Sequence, residues 1–181
     1  MNLLNTRNLC KCSVFICLIT IGAFIKIPVP YVPFTLQFLF TTLAGIFLGS
    51  KLGGFSVLIY VIMGVLGFPV FAGGVGGFSY IFKPTFGYLI GFIVGAFFTG
   101  YILENKNCYS FKVLLFASLV GLTIVYIFGL VYYYLISKFV LNLDITISTI
   151  LIYGFVLAVP GDILLCFLSS LIGKNLKKFI L

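Results

Sequence analysis

The stretch that decides the fold is GFPVFAGGVGGFSYIFKPTFGYLIGF, residues 67–92. Glycines at the density found here do not extend a helix or support a strand, but they permit positive φ angles and close backbone approach. Interleaved aromatic residues distinguish the stretch from a polar, flexible linker. The pattern predicts an ordered apolar loop at a membrane surface that closes over a pocket; the alternative is a turn joining two helices. The glycines are Gly73, Gly74, Gly76 and Gly77.

The composition of the whole chain indicates a multi-pass membrane protein. Of the 181 residues, 62% are hydrophobic and 8% are charged, whereas about a quarter of the residues of a soluble domain are charged. The net charge of +8 would point to nucleic acid in a soluble protein. Here the charges lie between apolar runs and report topology, so we expect no nucleic-acid partner. The sequence predicts one integral-membrane domain over residues 1–181, embedded in the lipid bilayer.

Apolar runs predict an all-α membrane protein with six transmembrane helices. Two of the runs are 15 residues long, shorter than the roughly 20 residues that a helix needs to cross a bilayer. The sixth run is interrupted by Pro160-Gly161, where we expect the helix to break. The predicted spans are 9–27, 34–48, 52–66, 85–103, 111–136 and 145–172.

Basic residues predict the orientation in the membrane. With six spans, both termini lie on one side, and eight of the eleven basic residues fall on that side. Because basic residues accumulate in cytoplasmic segments, we expect both termini in the cytoplasm of a cell-membrane protein. Three segments are then outside: the linker 28–33, the loop that contains Gly73, Gly74, Gly76 and Gly77 (the glycine loop), and the segment 137–144. The inner basic residues are Arg7, Lys11, Lys51, Lys106, Lys112, Lys174, Lys177 and Lys178, and the outer ones are Lys26, Lys83 and Lys138.

Asp162 is the one acidic residue within a predicted span. A carboxylate at membrane depth is costly unless it is paired, and it usually faces a cavity. Asp162 follows the predicted helix break and has no basic residue within a turn, so a lysine from elsewhere or a ligand with N–H donors must satisfy it. We predict ligand contact; the alternative is a cap on the second half of the broken helix.

Other polar residues near the same side complete the predicted binding site. Gln37 is the one amide in the second span, and it fits two roles: contact with a ligand that enters from outside, or a hydrogen bond to a neighbouring helix. Tyr88 and Tyr126 are polar-tipped aromatic residues within spans four and five. Thr85 and Lys83 follow the loop glycines, which are themselves candidate binding residues.

The residue inventory excludes several kinds of enzyme. The chain has no histidine, which rules out histidine-based triads and histidine-ligated zinc. The glycine loop lacks the Gly-Lys-Ser/Thr of a Walker A sequence. One intramembrane acid is too few for an aspartyl dyad. We therefore expect a protein that binds a ligand without transforming it, and no cofactor or metal.

Ser13 and Cys17 lie four residues apart in the first span, as in small-xxx-small motifs that let helices approach closely in lipid. They fit internal packing or the docking of a second protein, and the sequence slightly favours internal packing.

Four groups of residues, in order along nearly the whole chain, together resemble the BioY family, the biotin-binding S components of energy-coupling factor (ECF) transporters. Each group alone is a weak signal, whereas the ordered set is specific. The groups are Pro28-x-Pro30-x-x-Pro33-x-Thr35-x-Gln37, Gly67-x-Pro69-Val70-Phe71-Ala72-Gly73-Gly74-x-Gly76-Gly77, Pro84-Thr85-x-Gly87-Tyr88-x-x-Gly91-Phe92, and Pro160-Gly161-Asp162.

The resemblance implies high-affinity biotin uptake by a six-helix bundle with cytoplasmic termini and an outward-facing pocket. It also implies a transmembrane coupling subunit and two cytoplasmic ATPase subunits as partners, with the first helix docking through the positions of Ser13 and Cys17. Biotin's ureido N–H groups suit Asp162, and its apolar parts suit an aromatic cavity. The alternatives are an S component for another vitamin, a membrane-embedded enzyme that uses Asp162, and a scaffold protein without a ligand.

Two departures from the family concern lysine. Where the family commonly has a lysine three residues after the aspartate, this chain has Leu165, and where the family has Gly-Pro-Thr, it has Lys83-Pro84-Thr85. Biotin's carboxylate needs a partner if it is drawn below the surface. We predict that Lys83 contacts it. The alternative is an exposed Lys83 at the membrane edge, with Thr85 or backbone N–H groups serving the carboxylate.

Overall fold

The computed structural model describes residues 5–27, 34–106, 108–142 and 146–176. The linker 28–33, Asp144, Lys177 and Lys178 lie outside these ranges. Within them the chain is mostly helical, with one short strand pair and a non-helical stretch at 66–77. The predominance of helix confirms the predicted all-α class. The helices are α1 (Thr6–Phe24), α2 (Gln37–Val65), α3 (Phe86–Lys106), α4 (Phe111–Phe139), α5 (Ile147–Leu151) and α6 (Val159–Leu176), with a 3₁₀ helix at Phe78–Phe82, a π-helix at Ile152–Val156, and strands β1 (Lys26–Ile27) and β2 (Phe34–Thr35).

Five of the described helical stretches are long and apolar enough to cross a membrane. Four of them are α1, α2, α3 and α4, and the fifth is Ile147–Leu176, which combines α5, the π-helix and α6. A chain with several such stretches is a multi-pass membrane protein.

Helix α2 reverses its direction at Gly49, whose φ of 80° and ψ of −173° are not helical. The Gln37 side chain donates a hydrogen bond to the Tyr60 hydroxyl at 2.6 Å across 23 residues of sequence, which a straight helix would separate by about 34 Å. The limbs 37–48 and 50–65 therefore lie side by side. They correspond to the predicted spans 34–48 and 52–66, and the count of six spans stays a prediction.

Glycines and a carboxylate fix this reversal against α3. A Cβ atom on Gly100 would lie 2.4 Å from the Gly49 carbonyl carbon, so only a glycine in α3 lets the two backbones meet. Glu104, one turn further along α3, accepts hydrogen bonds from the backbone N–H of Ser50 at 2.8 Å and from its hydroxyl at 2.5 Å. An acidic group at the start of the second limb is also favoured by the helix dipole.

The break in the last span lies earlier than the sequence predicted. Residues Ile152–Val156 form the π-helix, a turn follows, and α6 already begins at Val159. Pro160 is thus in the first turn of α6, where its missing N–H would have no helical partner in any case. The predicted break at Pro160-Gly161 is wrong for that reason, and Asp162 lies in the first turn of an intact helix.

We expect Gly49→Ala to destabilise the fold. A residue other than glycine at this φ and ψ costs about 1–3 kcal/mol, and the added methyl group would lie 2.2 Å from the Glu104 carboxylate. The midpoint of thermal unfolding in detergent should fall. Gly54→Ala is the matched control, because its new methyl group would come no closer than 3.3 Å, to the Phe97 Cβ. Equal unfolding midpoints for the two variants would contradict the reversal of α2 at Gly49.

Candidate ligand-binding site

A cavity lies at the end of the bundle that carries the strand pair and the glycine loop. Most of its wall is aromatic or aliphatic, with a few polar groups, as is typical of small-molecule sites. Five predicted site residues line it: Gln37, Thr85, Tyr88, Tyr126 and Asp162. The remaining lining residues are Phe34, Thr35, Phe38, Ala72, Tyr80, Leu89, Phe92, Val125 and Ala158.

Asp162 and Tyr126 form the polar centre of the cavity. The Tyr126 hydroxyl of α4 donates a hydrogen bond to Asp162 Oδ2 in the first turn of α6. The expectation that a lysine or a ligand must satisfy Asp162 is therefore wrong, because a tyrosine 36 residues away already serves as a partner. A carboxylate can accept about four hydrogen bonds. One tyrosine donor leaves it able to accept hydrogen bonds from a ligand.

Aromatic contacts hold Tyr126 in place. Its ring meets the Tyr88 ring edge-on, with centroids 6.1 Å apart, and the Phe155 ring edge-on at 4.9 Å. The Tyr88 hydroxyl donates a hydrogen bond at 2.8 Å to the carbonyl of Gly154. Because Gly154 and Phe155 belong to the π-helix, this irregular segment supports the cavity wall, in keeping with the frequent use of π-helical turns at functional sites.

A second polar chain joins the strand pair, α2 and the glycine loop. Thr35 donates to Gln37 Oε1 at 3.1 Å, Gln37 Nε2 donates to the Tyr60 hydroxyl at 2.6 Å, and Tyr60 donates to the Val70 carbonyl at 2.8 Å. The bond from Gln37 to Tyr60 joins the two limbs of α2. Gln37 therefore has the hydrogen bond to a neighbouring helical segment that was one of its two predicted roles. It also lines the cavity, so the two roles are compatible.

The loop glycines combine positive φ angles with close backbone contacts. Gly73, Gly74 and Gly77 have positive φ angles of 89°, 69° and 110°. A Cβ atom on Gly76 would lie 2.1 Å from the Phe68 carbonyl oxygen. The ring of Phe71 is fully buried between those of Tyr60 and Tyr80, with centroids 5.7 Å and 4.5 Å away.

These four glycines do not appear among the residues that line the cavity, whereas Ala72 does. Their positions show that they shape the loop. Direct contact between a ligand and Gly73, Gly74, Gly76 or Gly77 stays a prediction.

Tyr80 lines the cavity, although the sequence did not single it out as a site residue. It lies in the 3₁₀ helix, and its hydroxyl accepts a hydrogen bond from Thr85 at 3.4 Å. Burial raises the pKa of this hydroxyl, so it stays neutral at physiological pH. The signal was present in the sequence, since Tyr80 is a polar-tipped aromatic residue within the decisive stretch.

Lys83 is exposed, and its ammonium lies 4.8 Å from the centroid of the Tyr80 ring, outside the cavity lining. Contact between Lys83 and a ligand carboxylate stays a prediction. Leu165, where the family commonly has a lysine, is buried.

Ser13 and Cys17 lie on the outer face of α1. Both are exposed, whereas Cys12, Ile16 and Ile19 form the buried face of this helix. The preference for internal packing of Ser13 and Cys17 is wrong, because the residues that face the rest of the bundle are their neighbours in sequence.

The profile of the BioY family matches residues 1–181. The chain belongs to the BioY family. A probable biotin transporter BioY of Lysinibacillus sphaericus is 40% identical to it over 174 residues, which cover 96% of this chain and 88% of that protein. The biotin transporter BioY of Thermotoga maritima is 41% identical over 173 residues, covering 95% and 96%. These comparisons confirm the resemblance that the ordered motifs indicated.

A solved structure shares the fold of this BioY chain. The crystal structure of the S-component for biotin from an ECF-type ABC transporter superposes with a TM-score of 0.83 and 28% sequence identity. The match covers 98% of this chain and 94% of the solved one. The helical arrangement around the cavity is therefore that of an S-component.

Proposed function

We propose that this chain is the membrane-embedded biotin-binding subunit of an ECF transporter and serves in biotin uptake. The observation that carries the proposal is the Asp162–Tyr126 pair, which gives a largely apolar cavity one acceptor site for N–H donors. The biotin transporters among its relatives support the choice of biotin over another vitamin.

In the proposed complex, the ureido N–H groups of biotin donate to the Asp162 carboxylate. Hydrogen bonds to an ionised acceptor are about twice as strong as neutral ones. Tyr126 keeps one carboxylate oxygen oriented, and the aromatic walls surround the apolar rings of the ligand. A vitamin without N–H donors at this position would cover the carboxylate and add no donor to the one that Tyr126 supplies, which disfavours its binding.

We expect Asp162→Asn to weaken biotin binding by roughly tenfold or more, because the loss of a hydrogen bond to a charged group costs about 1.5–3 kcal/mol. Tyr126→Phe should cause a smaller loss, since the carboxylate remains but loses its orienting partner. Calorimetric titration of the purified protein with biotin measures both effects. Tyr101→Phe, a change on the exposed face of α3, is the matched control.

Other outcomes of the same titration favour the alternatives. Unchanged biotin affinity of Asp162→Asn, together with lower thermal stability, would assign Asp162 to capping α6. Tight binding of a different vitamin from a panel would contradict biotin as the substrate. A protein that binds none of them would be a scaffold, and chemical turnover of a ligand would indicate an enzyme.

We also propose six membrane spans with both termini in the cytoplasm. Each limb of α2 would then be one span, although their helical lengths are only about 18 and 24 Å at 1.5 Å per residue, so flanking residues or a thinner bilayer must cover the difference. The bias of eight basic residues to three supports this orientation.

Cysteine labelling tests the topology. In a variant without native cysteines, an impermeant maleimide should label Leu141→Cys in intact cells, but not Lys51→Cys or Lys174→Cys. All three positions are exposed at the protein surface. Labelling of Lys174→Cys would reverse the orientation, and labelling of Lys51→Cys without Lys174→Cys would reduce the number of spans.

The proposed partners are a transmembrane coupling subunit and two cytoplasmic ATPases. Ser13 and Cys17 are small and exposed on α1, and the larger side chains of Val14 and Ile21 are exposed on the same helix. A partner helix can approach α1 closely at small residues spaced in this way.

We expect Ser13→Leu and Cys17→Leu together to reduce co-purification with the coupling subunit, because larger side chains prevent close helix approach. Biotin affinity should be unchanged, as neither residue lines the cavity. Thr123→Leu, on the exposed face of α4, is the control for a similar enlargement elsewhere. Normal co-purification of the α1 variant would refute docking through these residues.

A further inference from the structure

The strand pair places Lys26 beside the cavity. Lys26 of β1 is paired directly with Thr35 of β2 in an antiparallel register. Residues opposite each other in such a pair project from the same face, with Cβ atoms about 4.5–5.5 Å apart. Thr35 lines the cavity and donates a hydrogen bond to Gln37. The Lys26 side chain therefore leaves the strand pair on the face that borders the cavity.

The ammonium of Lys26 reaches the tip of the glycine loop. A methyl group on Gly73 would lie 3.2 Å from Lys26 Nζ, so in the native chain the ammonium rests against the loop backbone at this glycine. Ala72, the preceding residue, lines the cavity. Lys26 thus connects the strand pair with the glycine loop, and we call these two segments the rim of the cavity. On the strand pair it lies opposite Thr35, and on the loop it lies beside the neighbour of Ala72; both Thr35 and Ala72 line the cavity.

The charge of Lys26 has no carboxylate partner within the described part of the chain. Of the three acidic residues of the protein, Glu104 is bonded to Ser50 at the reversal of α2, and Asp162 is bonded to Tyr126. Asp144 lies outside the described residues. Lys26 is also exposed, so its flexible side chain can follow a ligand that enters over the rim.

We propose that Lys26 binds the carboxylate of biotin and makes this protein selective for the free acid. The proposal rests on the proposed function: with the ureido group at Asp162, the valerate chain extends towards the rim, where Lys26 lies. Lys26 of β1 then makes the contact with the carboxylate that the sequence predicted for Lys83. Leu165, at the position where the family commonly has a lysine, has no charge with which to make it. Lys83, in contrast, lies on the Tyr80 ring.

Comparison of biotin with biotin amide, which has the same shape and no charge, tests the proposal. The wild-type protein should bind biotin roughly five- to tenfold more tightly, as expected for one charge-assisted hydrogen bond at a partly solvated site. Lys26→Gln should lose this preference through weaker biotin binding, with amide affinity unchanged. Unchanged amide affinity also shows that the cavity of the variant is folded. Lys26→Arg should keep the preference, and so should the matched control Lys138→Gln, because Lys138 is exposed and lies outside the cavity lining. Lys83→Gln tests the rival contact predicted for Lys83, and it should also keep the preference.

Three results would overturn the assignment. They are an unchanged preference in Lys26→Gln, a preference that disappears in Lys83→Gln, and a wild-type protein that does not discriminate between the acid and the amide. A wild-type protein that binds neither compound would instead refute the proposed function, and the two failures are therefore distinguishable.

Discussion

The hydrogen bond between Tyr126 and Asp162 is the interaction on which the cavity depends. A carboxylate placed inside a membrane protein needs a donor, since lipid offers none. Tyr126 supplies that donor from α4, which sets α6 against α4 at the depth of the cavity. The same carboxylate retains acceptor capacity for a ligand. One interaction therefore contributes to both the packing of two helices and the chemistry of the site.

The rest of the cavity is closed by segments that depend on one another. The chain from Thr35 through Gln37 and Tyr60 to Val70 connects the strand pair with the glycine loop. Tyr60 can take part only because α2 reverses at Gly49, which brings its two limbs together. Gly49 lies at one end of the two limbs and the site lies at the other end. The backbone conformation of Gly49 thus determines the shape of a distant site.

The sequence predicted the parts that depend on local composition. The apolar run 111–136 corresponds closely to α4, and Gly73, Gly74 and Gly77 adopt the positive φ angles that glycine permits. Contacts between distant segments were not predictable: the Tyr126–Asp162 bond spans 36 residues, and periodicity does not determine which helices pack together. The helix break was misplaced because a proline in a first turn does not interrupt a helix. Five predicted polar residues nevertheless line one cavity. Four of them, Gln37, Tyr88, Tyr126 and Asp162, are polar groups within apolar spans, where such groups usually face a cavity or a neighbouring helix.

The most direct test of this account is an experimental structure of the protein with biotin bound. The account predicts a ureido nitrogen within about 3.2 Å of an Asp162 carboxylate oxygen, with Tyr126 still bonded to the same carboxylate and the valerate chain directed towards the rim. Biotin bound outside this cavity, or bound in it with the ureido group at the rim and no contact with Asp162, would contradict the account.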